Sequence, residues 1–259
     1  MDYVGDNSIL LAMLMGTLAA IATTIGALPV LLVRYSKSNP YSLEKLLNAG
    51  LGFSSGVMIV ASFTSLLLPS IEGGGLTISL IGFIGGALAI AFINELIPHE
   101  HIFKGFEGPI GFKKIKTAWL VALAIILHNL PEGYSIGVAS AYQTIDGLKV
   151  GLAISIQDVP EGLAVALPVL AITGSKPLAL IIAFFCGLSE LITAIAAVTI
   201  FGEYENILYL GLSSAAGAMI YVVSHEALPE SHRTGREKEA TIGFFIGFII
   251  MLYLDTLLA

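Results

Sequence analysis

Two six-residue stretches of this 259-residue chain follow one template: polar, polar, apolar, Pro, Glu, Gly. They are His128-Asn129-Leu130-Pro131-Glu132-Gly133 and Gln157-Asp158-Val159-Pro160-Glu161-Gly162. On a helix, the first and fifth positions of each stretch lie one turn apart on the same face. A His/Glu or Gln/Glu pair at that spacing presents converging nitrogen and oxygen donors suited to a metal ion. The proline lacks an N–H and crowds the carbonyl four residues earlier, Leu127 or Ile156, so each helix is expected to kink there. The glycine after each Glu lets a neighbouring helix come close.

The elements that carry these stretches must live in lipid. Hydrophobic residues make up 56% of the chain and charged residues 12%, about half the ~25% of a soluble domain, and the mean hydropathy is +0.90. So little charge cannot cover a water-facing surface, which excludes a soluble enzyme and a disordered tail. A net charge of -7 leaves no basic footprint for nucleic acid. The single cysteine, Cys186, can form neither an intrachain disulfide nor a thiolate cage. Asp2 and Asp6, with no nearby Lys or Arg, argue against a cleavable signal peptide.

A spanning helix needs ~20 mostly apolar residues, and the sequence supplies eight such segments. They run at about Ile9–Val33, Leu43–Ser70, Leu76–Ile97, Thr117–Ala141, Gly147–Leu170, Pro177–Phe201, Asn206–Leu228 and Ala240–Leu258. Short breaks with turn chemistry separate them, including Ser38-Asn39-Pro40, Gly73-Gly74-Gly75 and Gly174-Ser175-Lys176-Pro177; only 98–116 is a long loop. The apolar runs are continuous rather than alternating, so the fold expected is an all-α integral membrane protein and not a barrel. Residues 1–259 then form a single domain. Eleven of the twelve Lys and Arg fall in the loops after segments one, three, five and seven, and Lys149 alone falls on the other side. The positive-inside rule puts those loops in the cytoplasm and both termini outside. Trp119, near a segment end, is expected to anchor at the interface.

At ~1.5 Å per residue, His128, Glu132, Gln157, Asp158, Glu161 and Glu190 all fall near the bilayer midplane, where no Lys or Arg lies. Each ionised group at that depth costs at least ~2.5–3.5 kcal/mol on insertion scales. Four carboxylates with one histidine cannot neutralise each other, so either some of them are protonated or a cation visits. Segments four and five run antiparallel, which makes the two motifs an inverted repeat about the midplane, a transporter signature.

These motifs, the eight spans with both ends outside and the histidines after the third span together resemble the ZIP family of divalent metal transporters. The likeness is to the prokaryotic branch with Gln-Asp in the fifth span, and it covers essentially the whole chain. It implies a two-metal centre between the fourth and fifth helices, with metal moving toward the cytoplasm. By the same resemblance His128, Glu132, Gln157 and Glu161 line one site, and Met58 adds a thioether. Asn129, Asp158 and Glu190 build the second, with Glu132 and Glu161 bridging. Many members carry His where this chain has Gln157, so the preference among Zn²⁺, Fe²⁺, Mn²⁺, Co²⁺ and Cd²⁺ does not carry over with the motif.

A second cluster is expected at the cytoplasmic edge. His99 and His101 follow the third span, and His225 and Glu226 end the seventh. They would take the ion as it leaves the midplane. No resident cofactor is called for: Gly73–Gly75 lacks the Lys-Ser/Thr of a phosphate loop, so an ion gradient or the membrane potential must supply the energy. Gly52/Gly56, Gly82/Gly86 and Gly243/Gly247, at helical spacing, fit close helix packing, and a homodimer through a glycine-bearing face is compatible with the sequence, with no particular face indicated. A proton- or cation-conducting channel would use the same buried acids, but would show unsaturating current in place of saturable uptake. An intramembrane metalloprotease would need a pattern such as His-Glu-x-x-His, which is absent. His128→Ala and Glu161→Ala are each expected to abolish metal-dependent uptake while the protein still reaches the membrane, as checked by uptake and surface labelling in cells.

Overall fold

The computed structural model describes residues 6–32, 41–97, 99–101, 105–107, 117–202, 205–233 and 237–258. The Ser38-Asn39-Pro40 turn, most of the 98–116 loop and the side chains of His99, His101 and Trp119 lie outside the described residues. The helices are α1 (Asp6–Ala27), α2 (Tyr41–Ala61), α3 (Leu68–Leu96), α4 (Thr117–Tyr142), α5 (Thr144–Thr173), α6 (Lys176–Phe201), α7 (Glu205–Val222), α8 (Leu228–His232) and α9 (Glu237–Leu257). Among the described residues, six continuous helical stretches are long and apolar enough to cross a membrane.

One of the six, Lys45–Leu96, is really two. Gly75 has φ +78° and ψ 160° inside α3, a conformation open to glycine but not to most residues. Ser70 Oγ and Ser79 Oγ share a hydrogen bond at 2.8 Å, although nine residues of straight helix would hold them about 13 Å apart. The chain therefore reverses at Gly75, and Gly73 and Gly74 remain helical. α4, at 26 residues, is a further helix of spanning length. One non-helical residue, Gln143, separates α4 from α5, so these two form a tight hairpin and run antiparallel.

Two segments differ from expectation. The loop after α3 contains two three-residue strands, β1 (His99–His101) and β2 (Gly105–Glu107), paired antiparallel with His99 opposite Glu107. The seventh segment does not end at Leu228 but continues through a π-helical stretch, Val223–Ala227, into α8. A second π stretch, Ser62–Leu67, joins α2 to α3. Both stand just before a Leu-Pro pair, Leu68-Pro69 and Leu228-Pro229. A proline inside a helix removes a donor and clashes with the preceding turn, and a wider π turn accommodates it.

Packing sorts the helices into groups. α1, α4, α5 and α6 contact one another as a bundle, while α2 packs along α9 and α3 along α7. Glycine makes these seams. A Cβ on Gly52 or Gly56 would collide with the backbone of Ala240 or Phe244, and one on Gly243 or Gly247 with Ala49 or Phe53. Gly86 and Gly217 do the same between α3 and α7. The close helix packing expected at Gly52/Gly56, Gly82/Gly86 and Gly243/Gly247 is thus found within one chain.

Overpacking a close seam costs on the order of 1–3 kcal/mol. Gly52→Val should lower the melting temperature of the purified protein by several degrees, whereas Gly85→Ala, with nothing within 4 Å of the added carbon, should leave it unchanged; differential scanning fluorimetry checks both.

Candidate metal centre

Glu132 on α4 and Asp158 and Glu161 on α5 each offer a carboxylate oxygen, and these three atoms lie within 4.8 Å of one another. Two oxygens sharing one Zn²⁺-sized ion at about 2.0–2.2 Å each stand at most roughly 4.4 Å apart, so the cluster needs only a small contraction to close on a cation. Its position follows from the repeated motif. Pro131 and Pro160 sit inside their helices. The glycines that follow each Glu bring neighbouring helices in: a Cβ on Gly133 would strike the Glu190 carbonyl of α6, and one on Gly162 the Thr23 carbonyl of α1. Each copy of the motif thereby docks its own helix against a different partner.

The hydrogen bonding is lopsided. Gln157 Nε2 donates to Glu132 Oε1. Asn129 Nδ2 donates to Glu190 Oε1, and Thr23 Oγ1 reaches the same oxygen at 3.5 Å. Asp158 and Glu190 face each other as two carboxyls. Asn129 Oδ1, Glu132 Oε2, Gln157 Oε1, both Asp158 oxygens and Glu190 Oε2 are buried and accept no hydrogen bond. Buried polar atoms are nearly always satisfied. These six oxygens belong to five residues, three of them carboxyl-bearing, and such an acceptor-rich set has the chemistry to hold a cation.

His128 points elsewhere. Its Nε2 contacts Glu226 Oε2, while Glu226 Oε1 accepts from Asn94 Nδ2 and lies 3.7 Å from His225 Nδ1. His128 remains within electrostatic reach of Glu161. The sequence places His128 in the first site with Glu132, Gln157 and Glu161, and His225 and Glu226 in a separate cluster at the cytoplasmic edge; in the structure the two groups touch, because buried Glu226 lies directly on His128. It reaches there because the π stretch carries the seventh span past it.

The chain matches the model of the family described as ZIP zinc transporter over residues 107–255. It is 39% identical over 257 residues to the zinc transporter ZIPB of Bordetella bronchiseptica, covering 95% of this chain and 81% of that one. It is 37% identical over 253 residues to the zinc transporter GufA of Myxococcus xanthus, covering 92% and 95%. The zinc transporter ZupT of Clostridium perfringens is 31% identical over 284 residues, with 95% and 96% covered. The chain belongs to the ZIP zinc transporter family. It is accordingly a multi-pass membrane protein of a transporter family and not an enzyme.

Within this ZIP protein the structure brings Glu132, Gln157, Asp158, Glu161, Asn129 and Glu190 into one buried polar region, and His128, Glu226, Asn94 and His225 into a second region touching it. Met58 is buried in the apolar cluster that includes Ile136, Ile154 and Met219. One turn earlier on the same face, Ser54 Oγ donates to the Gln157 carbonyl at 3.2 Å and faces the Glu161 carboxylate. Met58 therefore belongs to the α2 face nearest the acids. The backbone of His99 and His101 forms β1, which lies along α4. Ser54, Thr23 and Asn94 were not singled out from the sequence, since a neutral polar residue in an apolar helix is cheap to insert and raises no flag.

Removing one charge from the crowd should help the metal-free protein and hurt the loaded one. Asp158→Asn is expected to raise the melting temperature by a few degrees without metal and to abolish the rise that zinc produces in the parent, as read in a thermal-shift titration.

Proposed function

We propose that this protein carries zinc and chemically similar divalent ions into the cytoplasm, through a two-metal site at the membrane midplane. Supporting this is the set of donor-starved oxygens on Asn129, Glu132, Gln157, Asp158 and Glu190, in a chain whose relatives are named zinc transporters. The donor set is mostly oxygen with one imidazole and one thioether. It suits Zn²⁺, Fe²⁺, Mn²⁺, Co²⁺ or Cd²⁺ better than Ca²⁺ or Cu⁺. Eight spans with both termini outside, related by an inverted repeat about α4 and α5, give the ion its path.

In that orientation the polar layers fall in order. Glu132, Asp158 and Glu161 take the ion at the midplane, exchanging part of its water shell for carboxylate oxygens. His128, one turn toward the cytoplasm on α4, shares a contact with Glu226, so an ion leaving the acids next meets an imidazole already beside a further carboxylate. Asn94 and His225 hold Glu226 on its other oxygen and complete a release site, with His99 and His101 following α3 into the loop. Glu132 and Glu161 bridge the two metal positions, Gln157 and Met58 serve the first, and Asn129, Asp158 and Glu190 serve the second.

Metal and protons compete for the same carboxylates and for neutral His128. Purified protein in liposomes should therefore show saturable Zn²⁺ uptake that discriminates among a panel of divalent cations. Uptake should fall several-fold as the outer pH drops from about 7 to about 5, the range in which exposed imidazole and then carboxylates take up protons. Unsaturating current with no discrimination among metals would instead indicate a channel.

A further inference from the structure

Among the described residues, one buried Lys lies apart from the candidate metal site. Lys149, on the first turns of α5, is only 8% exposed. Its Nζ lies 3.8 Å from Asp146 Oδ1 on the same helix and 3.8 Å from Asp255 Oδ1 near the end of α9. Ser65 Oγ, in the π stretch that continues α2, donates to the same Asp255 oxygen at 3.1 Å. An ammonium is rarely taken out of water without purpose, and here the compensation comes from two different helix groups. α5 belongs to the bundle carrying the acid cluster, while α9 and Ser65 belong to the α2–α9 pair.

Apart from the Ser54–Gln157 hydrogen bond, the neighbouring contacts along this boundary are apolar. One turn further along α5, Ala153 is buried with Met251 of α9 and Val57, Val60 and Ala61 of α2, and the next turn brings Gln157. A crevice of about 700 Å³ also runs between the two groups, lined by residues such as Leu18, Phe53, Leu152, Val159 and Ile246. The Lys149 cluster is thus the ionic fastening on a seam whose other contacts are apolar apart from the Ser54–Gln157 hydrogen bond. It stands in the first turns of α5, on the hairpin side of Gln157, Asp158 and Glu161.

We propose that the Lys149–Asp255 ion pair, braced by Asp146 and Ser65, is the closure of the outer mouth of the ion path, and that it must part before an ion can reach Glu132, Asp158 and Glu161 from that side. The word outer rests on the orientation proposed above; the closure itself rests on the ion pair. One ammonium faces two carboxylates, so the cluster keeps an excess negative charge. A divalent cation arriving there competes with Lys149 for Asp146 and Asp255, and loosens the closure as it enters. Lys149 is in this sense a gating residue, touching the path but not the midplane metal.

The test uses the full chain in membrane vesicles with Cys186→Ala, a reporter Ala153→Cys on α5, and a membrane-impermeant thiol reagent. Lys149→Met should accelerate outer-face labelling of the reporter at least several-fold, and Lys149→Arg should hold it near the parent rate. A second reporter, Ala183→Cys, in the inner half of α6, should show no acceleration from the cytoplasmic face. Equal rates at Ala153→Cys with and without Lys149→Met would overturn the closure. So would acceleration of both reporters, which is what general loosening of the fold produces. Acceleration at Ala153→Cys from the cytoplasmic face alone would keep the closure and overturn the assigned orientation. None of these readings requires zinc transport, so they stand apart from the transport proposal.

Discussion

An excess of acceptors over donors in the middle of an apolar bundle governs this structure. Glu132, Asp158 and Glu190 are each at most 1% exposed, and the neighbours that hydrogen-bond to them supply donors to only some of their oxygens. Gln157 and Asn129 each spend an amide N–H on a carboxylate and leave their own oxygens without a donor. Within protein alone such a set is costly, because desolvation is not repaid by any fixed countercharge. On the proposed reading a divalent cation offsets that cost, and a site that is poor as a folding element then serves as a transient resting place for an ion.

The fold gathers these acids among closely packed helices. Proline and glycine do so twice over, in the same order, on α4 and α5. Gly133 and Gly162 admit α6 and α1 to backbone contact, so the four helices bearing the polar groups pack tightly around them. The α2–α9 and α3–α7 pairs are zipped with equal closeness by Gly52, Gly56, Gly243, Gly247, Gly86 and Gly217. Between these groups the contacts are looser and apolar, interrupted by a few polar links: Ser54 to Gln157, Glu226 to His128, and Asp255 to Lys149. Each of those links joins the acid-bearing bundle to an element outside it.

Much of this was legible in the sequence, for physical reasons that can be named. The helical segments are long apolar runs, and charge within such a run is costly enough to stand out, so Glu132, Asp158, Glu161 and Glu190 could be picked out and given roughly common depth. The spacing of His128 to Glu132 and of Gln157 to Glu161 fixed a shared face. Spacing does not fix a partner, however. His128 faces Glu226, because a π turn ahead of Leu228-Pro229 extends the seventh span and rotates Glu226 inward; helical periodicity assumes 3.6 residues per turn and cannot foresee that turn. The polar residues that hold the acids, Asn94, Thr23 and Ser54, carry no charge and so left no hydropathy mark. Lys149 was visible as the lone cation on its side of the membrane, but its pairing with Asp255, more than a hundred residues later, is a tertiary fact.

The central claim is that the midplane carboxylates are completed by a metal ion. X-ray absorption at the zinc edge, on purified zinc-loaded protein in nanodiscs, tests it most directly. Wild-type protein should bind zinc in a shell of oxygen and nitrogen at about 2.0–2.2 Å, and a Glu132→Gln/Glu161→Gln double variant should lose both the bound zinc and that spectrum. Zinc retained by the double variant with an unchanged spectrum would show that the ion is held elsewhere and would contradict the account.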